Sequence, residues 1–150
     1  MSTWIKDTLA TGAVATSTTT VALAVLGKAE ENSAAGPINA VSHILWGEEA
    51  ARTDAADVPH TLAGAALNAA AITMWAGLHE VFMPRDRKPE VARALSSGVL
   101  VAAVAYAVDY HVVPKRLTPG FEKRLSGTAL ATIYATLALS LAAGSLLRER

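Results

Sequence analysis

A chain of 150 residues with 52% hydrophobic and 17% charged side chains makes one domain, more apolar than an ordinary soluble protein. Thirteen basic residues cancel thirteen acidic ones, so the basic excess of a nucleic-acid-binding surface is missing. There is no cysteine, which excludes disulfides, thiol redox chemistry and cysteine-ligated zinc or iron–sulfur centres.

Met1–Asp7 lacks a basic region and no clear cleavage site follows, so the first apolar run is expected to be retained rather than removed as a signal peptide. That run, Thr8 to Gly27, is 20 residues without a formal charge. Val58 to His79 gives 22 such residues and Leu125 to Leu147 gives 23, while Ala94 to Val108 reaches Pro114 if Asp109 is tolerated. Crossing a hydrocarbon core of roughly 30 Å takes about 20 helical residues. A soluble helix places a charge on its wet face every turn or so, and these runs do not. The expectation is an all-α fold: a four-helix transmembrane bundle in a single integral membrane domain over residues 1–150, with spans near 8–27, 59–83, 90–113 and 125–147.

The first span carries seven hydroxyl residues over 13 positions, with Gly12, Thr16 and Thr20 at steps of four. The connection that follows, Lys28 to Asp57, is the longest, and long structureless loops are uncommon in compact proteins. Its middle begins with Pro37 and sets Asn39, His43 and Trp46 at helical spacing. It reads as a short interfacial or re-entrant helix with Trp46 near headgroup level.

In the second span His60, Gly64, Asn68, Ile72, Trp75 and His79 fall on one face, which must look at protein rather than lipid. For Asn68, an intramembrane polar group, the readings are an interhelical hydrogen bond and a ligand or pathway role. His79-Glu80 lacks the second histidine of a zinc-protease motif, and reads as an interfacial salt-bridge site where the helix exits beside Arg85 and Arg87. Met83-Pro84 ends this span, and Pro89 suits the first turn of the third.

The third span ends at Pro114 and carries Asp109 about 7 Å from that break at a 1.5 Å rise per residue. Tyr106, three residues earlier, can donate to its carboxylate. Asp109 then either pairs with Lys115 or Arg116 or serves as a proton-titrating or metal-binding group. Thr118 to Glu122 reads as a cap and first turn leading toward the fourth span. There Gly127, Ala131, Ala135, Ala138, Ala142 and Ser145 form a small-residue stripe suited to packing within the chain or between copies.

Antiparallel spans place the first and third loops on one side. Asn39, His43, Glu48, Glu49, Asp57, His60, Tyr106, Asp109 and His111 can therefore form a polar cluster there, which His79 cannot join. His43, His60, Asp109 and His111 match the ligand set of a transition metal, although no pair has a recognised ligand spacing. No cofactor is expected beyond that. Bis-histidine haem would need two facing histidines at mid-depth, and the spans offer none. Phosphate-cradling, nucleophile-elbow and dinucleotide motifs are also absent, which favours a non-enzymatic protein.

The stretches Ala35–Gly47 and Val108–Glu122 give the chain a layout similar to that of small four-helix bacterial inner-membrane proteins with no assigned function. The resemblance implies a bacterial inner (cytoplasmic) membrane location and carries no activity onto named residues. Basic residues divide seven to six between the two sides. The acidic, base-poor first loop places both termini in the cytoplasm.

The leading functional expectation is a structural or accessory membrane subunit acting through helix–helix packing, alone as a homo-oligomer or within a larger membrane complex. The alternatives are a metal- or proton-dependent site at one membrane face, and a small oligomeric transporter or channel lined by Asn68 and Asp109. The expected partners are the lipid bilayer and other membrane helices, with no nucleic acid.

Overall fold

The computed structural model describes residues 1–148, and every regular element in them is helical. Arg150, one of the bases placed on the cytoplasmic side, lies outside the described residues. Helix α1 spans Thr3–Glu31. The Ser2 hydroxyl caps its start by accepting from the Ile5 N–H at 3.4 Å, and Asn32, in the left-handed region at φ 57°, ends it. The helix outruns the uncharged segment at both ends, because charges limit the depth at which a helix is comfortable in lipid and do not break its backbone ladder.

Two short helices follow, α2 (Gly36–Val41) and α3 (His43–Trp46), with Pro37 in the first turn of α2. A π-turn at Val58–Leu62 leads into α4 (Ala63–Val81). Helix α5 (Val91–Ala107) runs on through a second π-turn, Val108–Val112. Helix α6 (Gly127–Leu146) starts later than Thr118–Glu122 suggested. Phe121–Lys123 makes a separate 3₁₀ turn, and the cap is Ser126, whose hydroxyl accepts from the Ala129 N–H at 3.2 Å. Four helices are long and apolar enough to cross a membrane: Thr3–Glu31, Val58–Val81, Val91–Val112 and Gly127–Leu146.

The four long helices form a ring in which α1 packs extensively on α4 and α6, and α6 on α5, while α4 and α5 meet over a short stretch. Small residues make the close seams. A Cβ on Gly98 of α5 would strike the Ala138 carbonyl of α6, and one on Gly64 of α4 would strike the Ile38 carbonyl of α2. Gly12 faces Thr73 of α4, and Gly144 faces Thr11 of α1. The α6 stripe divides in two: Ala138, Ala142 and Ser145 are buried, whereas Gly127, Ala131 and Ala135 are exposed.

Ile72, Trp75, Val101, Tyr134, Leu137 and Leu141 belong to the largest apolar cluster in the ring. A second cluster, which includes Leu23, Ile38, Val41, Phe121, Leu125 and Ile133, pins α2 and the third loop onto the helices as a cap. Lys123 pairs with Glu48, and Arg124 with Glu31 and Asp54, so the first and third loops meet at that end. At the opposite end Asp7 pairs with Arg148 at 2.8 Å, which brings the two ends of the described chain together.

Candidate functional site

The residues expected to form a polar cluster at the loop end differ in burial and in bonding. Asn39 is fully buried and works as a fastener: its Nδ2 donates to the carbonyls of Thr53 (2.8 Å) and Ala55 (3.0 Å), and its Oδ1 accepts from Thr61 (2.6 Å). His43 is also buried, with Nδ1 2.8 Å from the Ala40 carbonyl. His60 binds Asp57 twice, through its backbone N–H and through Nδ1, each at 2.7 Å. These bonds hold the Asp57 carboxyl below its ordinary range, the side-chain bond contributing most. Glu48 is likewise held low, chiefly by the Lys123 ammonium. Glu49 and His111 are exposed, the latter with its ring 5.8 Å from that of Tyr106. Among the described residues no three histidine or acidic side chains gather as a group able to hold a metal ion.

Asp109 takes its hydrogen bond from a residue that the helical spacing did not single out. Tyr134 of α6 donates to its Oδ2 at 2.7 Å, and Asp109 forms no ion pair with Lys115 or Arg116. The π-turn is the reason. Opening the helix at Val108–Val112 changes the register on which an i, i+3 pairing with Tyr106 depended. Tyr106 instead stacks edge-on against Tyr134, with ring centroids 5.3 Å apart, and Tyr110 completes an aromatic cluster.

Asp109 and Asn68 line the same cavity. About 250 Å³ in volume, it lies between the cap and the ring, and Trp75, Phe121, Ile133 and Tyr134 are among its walls. Trp75, Phe121 and Tyr134 are each buried. Asn68 is 8% exposed, and its side chain makes no hydrogen bond within the described residues, which sets it apart from Asn39. Its amide therefore keeps both donor and acceptor capacity for something that enters the cavity. Ala71 of α4 and Leu117 of the third loop both belong to the lining and are exposed, so the cavity opens between α4 and that loop.

A second polar network occupies the terminal end, where Glu80 makes a salt bridge as expected, but buried and with Arg148. His79 and Glu80 are both out of solvent, at 0% and 2% exposure, rather than at an open helix exit. Glu80 accepts from the Thr11 hydroxyl at 2.6 Å and pairs with Arg148 at 2.8 Å. The Ser145 hydroxyl donates to the Ala142 carbonyl, which leaves its oxygen to accept from His79 Nε2 at 3.2 Å. His79 Nδ1 then accepts from Ser97 at 3.0 Å. A neutral imidazole with its proton on Nε2 satisfies every partner. The motif reading missed this network because its members come from α1, α4, α5 and the end of α6. The signal available in the sequence was the helical register of His79 with Asn68 and Trp75, which already assigned it to the inner face.

Compared with known proteins, the chain matches no family model, no curated protein and no solved structure.

Proposed function

We propose that this protein is a multi-pass integral membrane bundle that works as a non-enzymatic binding subunit, holding a small molecule in the cavity beneath its cap. The cavity carries the reading: an apolar, aromatic-walled space with two convergent polar groups is the usual form of a small-molecule site. At about 250 Å³ it falls below the roughly 300–1,000 Å³ of drug-sized ligand sites, so the occupant is small. The membrane assignment is supported by the length and composition of the four helices and by outward-facing Leu9, Val21, Val25, Met74, Val99 and Leu139, all exposed. On this reading α2 and α3 form a re-entrant or interfacial cap, Trp46 sits at headgroup level, and both termini face the cytoplasm of a bacterial inner membrane.

The test of binding is mass spectrometry of small molecules co-extracted with the detergent-purified protein and with Ile133→Trp, which fills the cavity. A compound present near one equivalent in the native protein and lost in the variant is expected. Equal small-molecule content in the two would overturn the reading. Since the chain has no cysteine, single-cysteine variants at Ser2, Glu49 and Arg87 report topology directly. Labelling of position 49 from the side opposite to positions 2 and 87 is the expected pattern.

Self-association is a second reading, favoured by the uncovered half of the α6 stripe. Gly127, Ala131 and Ala135 line an open groove beside Ala103 and Tyr106 of α5, shaped for close approach of another helix. Crosslinked dimers lost in Ala131→Leu would support it, and a monomer at all protein-to-lipid ratios would remove it.

A further inference from the structure

The walls of the cavity say what kind of molecule suits it. Its one acidic side chain, Asp109, forms no ion pair, and the Tyr134 hydroxyl at 2.7 Å is its hydrogen-bond partner. A carboxylate in a partly dry site is stabilised most by a positive charge brought close to it. Among the described residues no lysine or arginine lines the cavity. The Asn68 amide, unbonded to protein, offers a carbonyl oxygen to an N–H donor. Trp75, Phe121 and Tyr134 add aromatic surfaces, which attract organic cations through their ring faces and accommodate an apolar body. A carboxylate, a free amide carbonyl and three aromatic rings around one small space form a recognisable set. They complement an ammonium group on a hydrocarbon scaffold, and an anion would meet Asp109 with repulsion.

We infer that the cavity binds a small organic ammonium with an apolar body, its N–H groups shared between Asp109 and Asn68 and its hydrocarbon part against Trp75, Phe121 and Tyr134. The inference rests on the proposed binding function and adds the charge and donor character of the occupant. Binding is non-covalent, and nothing in the walls acts on the ligand as a nucleophile. The opening between Ala71 of α4 and Leu117 of the third loop gives the amine a route from the membrane interface.

Equilibrium dialysis of the full chain in phosphatidylcholine nanodiscs, against empty nanodiscs, tests this with two probes of one shape. One is 2-phenylethylammonium, and the other is propylbenzene, in which a methyl replaces the ammonium. The expected result is saturable one-to-one binding of the cation, at least tenfold tighter than any saturable binding of propylbenzene. Asp109→Asn keeps the hydrogen bond to Tyr134 and is expected to weaken the cation at least tenfold. Asn68→Leu, of similar size, is expected to weaken it severalfold and decides the matter if the Asp109 variant does not fold. Ile133→Trp is expected to abolish binding of either probe. If propylbenzene binds as well as the cation, or if neither polar substitution changes the cation's affinity, the ammonium inference is overturned while the binding function stands. If neither probe binds saturably to the native chain, this inference falls, and the co-extraction experiment then decides the binding function by itself.

Discussion

At the loop end, Lys123 faces Glu48 while Arg124 meets Glu31 and Asp54, and Glu48 and Asp54 are largely exposed. At the terminal end, Asp7, Glu80 and Arg148 meet with Thr11 in a region almost without solvent access. The loop end holds most of the ionisable residues, but apart from the Arg124 side chain, 11% exposed, its pairs face solvent, whereas at the terminal end Glu80 and Arg148 are both buried. Exposed pairs gain little from Coulomb attraction in a high dielectric, and each partner is content without the other. A buried pair is different: neither charge can be left alone, so the network fixes how α1, α4 and the end of α6 sit together. Polar abundance along the chain is therefore a poor guide to where polarity is structurally committed.

Substitutions at the two ends should separate sharply. Glu80→Ala removes one of the two carboxylates on Arg148, Asp7 remaining, and leaves the Thr11 hydroxyl without its acceptor, and should cost about 1–3 kcal/mol in unfolding of the purified protein. Glu48→Ala should leave the same transition unchanged. If the two variants behave alike, the contrast between the ends is wrong.

Close helix packing, by comparison, is common to both ends. Gly64→Ala at the cap and Gly144→Ala near the termini each push a Cβ into a neighbouring helix, against the Ile38 carbonyl and the Thr11 Cα respectively. Each should destabilise by about 1–3 kcal/mol, measured by the same unfolding transition. A large loss at one end with none at the other would show that the seams are not equivalent.

Asn39 is the loop end's own buried fastener. Asn39→Ala leaves the Thr53 and Ala55 carbonyls and the Thr61 hydroxyl without their partner. It should cost about 1–3 kcal/mol and raise amide hydrogen exchange in residues 50–61 before it affects α6.

The smallest effect is a pH dependence confined to the loop end. Folding depresses the Asp57 carboxyl below its usual value near 3.9, chiefly through the His60 side chain. The stability it contributes is present above that usual value and lost as pH falls through the depressed one. Native protein and Asp57→Asn should therefore differ in unfolding midpoint at neutral pH and converge in acid below the usual aspartate range. A difference that persists there would exclude the carboxylate as its source.

Several features could be read directly from the order of residues. Uncharged runs located four long helices, because the lengths and compositions that suit a bilayer are properties of contiguous sequence. The inner face of α4 was legible as well, since Gly64, Asn68, Ile72, Trp75 and His79 repeat at helical steps and all are buried. Pro84 and Pro114 marked helix ends closely, although Pro89 precedes the Glu90 cap of α5 instead of lying in its first turn, and α6 begins at a serine cap that a competing Thr-Pro-Gly sequence concealed.

What only the tertiary structure decided was which polar groups meet. Glu80 finds Arg148 across 68 positions, Tyr134 reaches Asp109 across 25, and Asn39 is consumed by backbone carbonyls that no spacing rule could nominate. The π-turn at Val108–Val112 displaced a local pairing that a regular helix would have allowed. Helical periodicity specifies the face on which a residue lies. Its partner depends on the axial offset and rotation of neighbouring helices, which are set by where glycine and alanine let backbones approach. That is why the sequence located the helices and their inner faces, while the cavity walled by Asn68 and Asp109 emerged only from the assembled bundle.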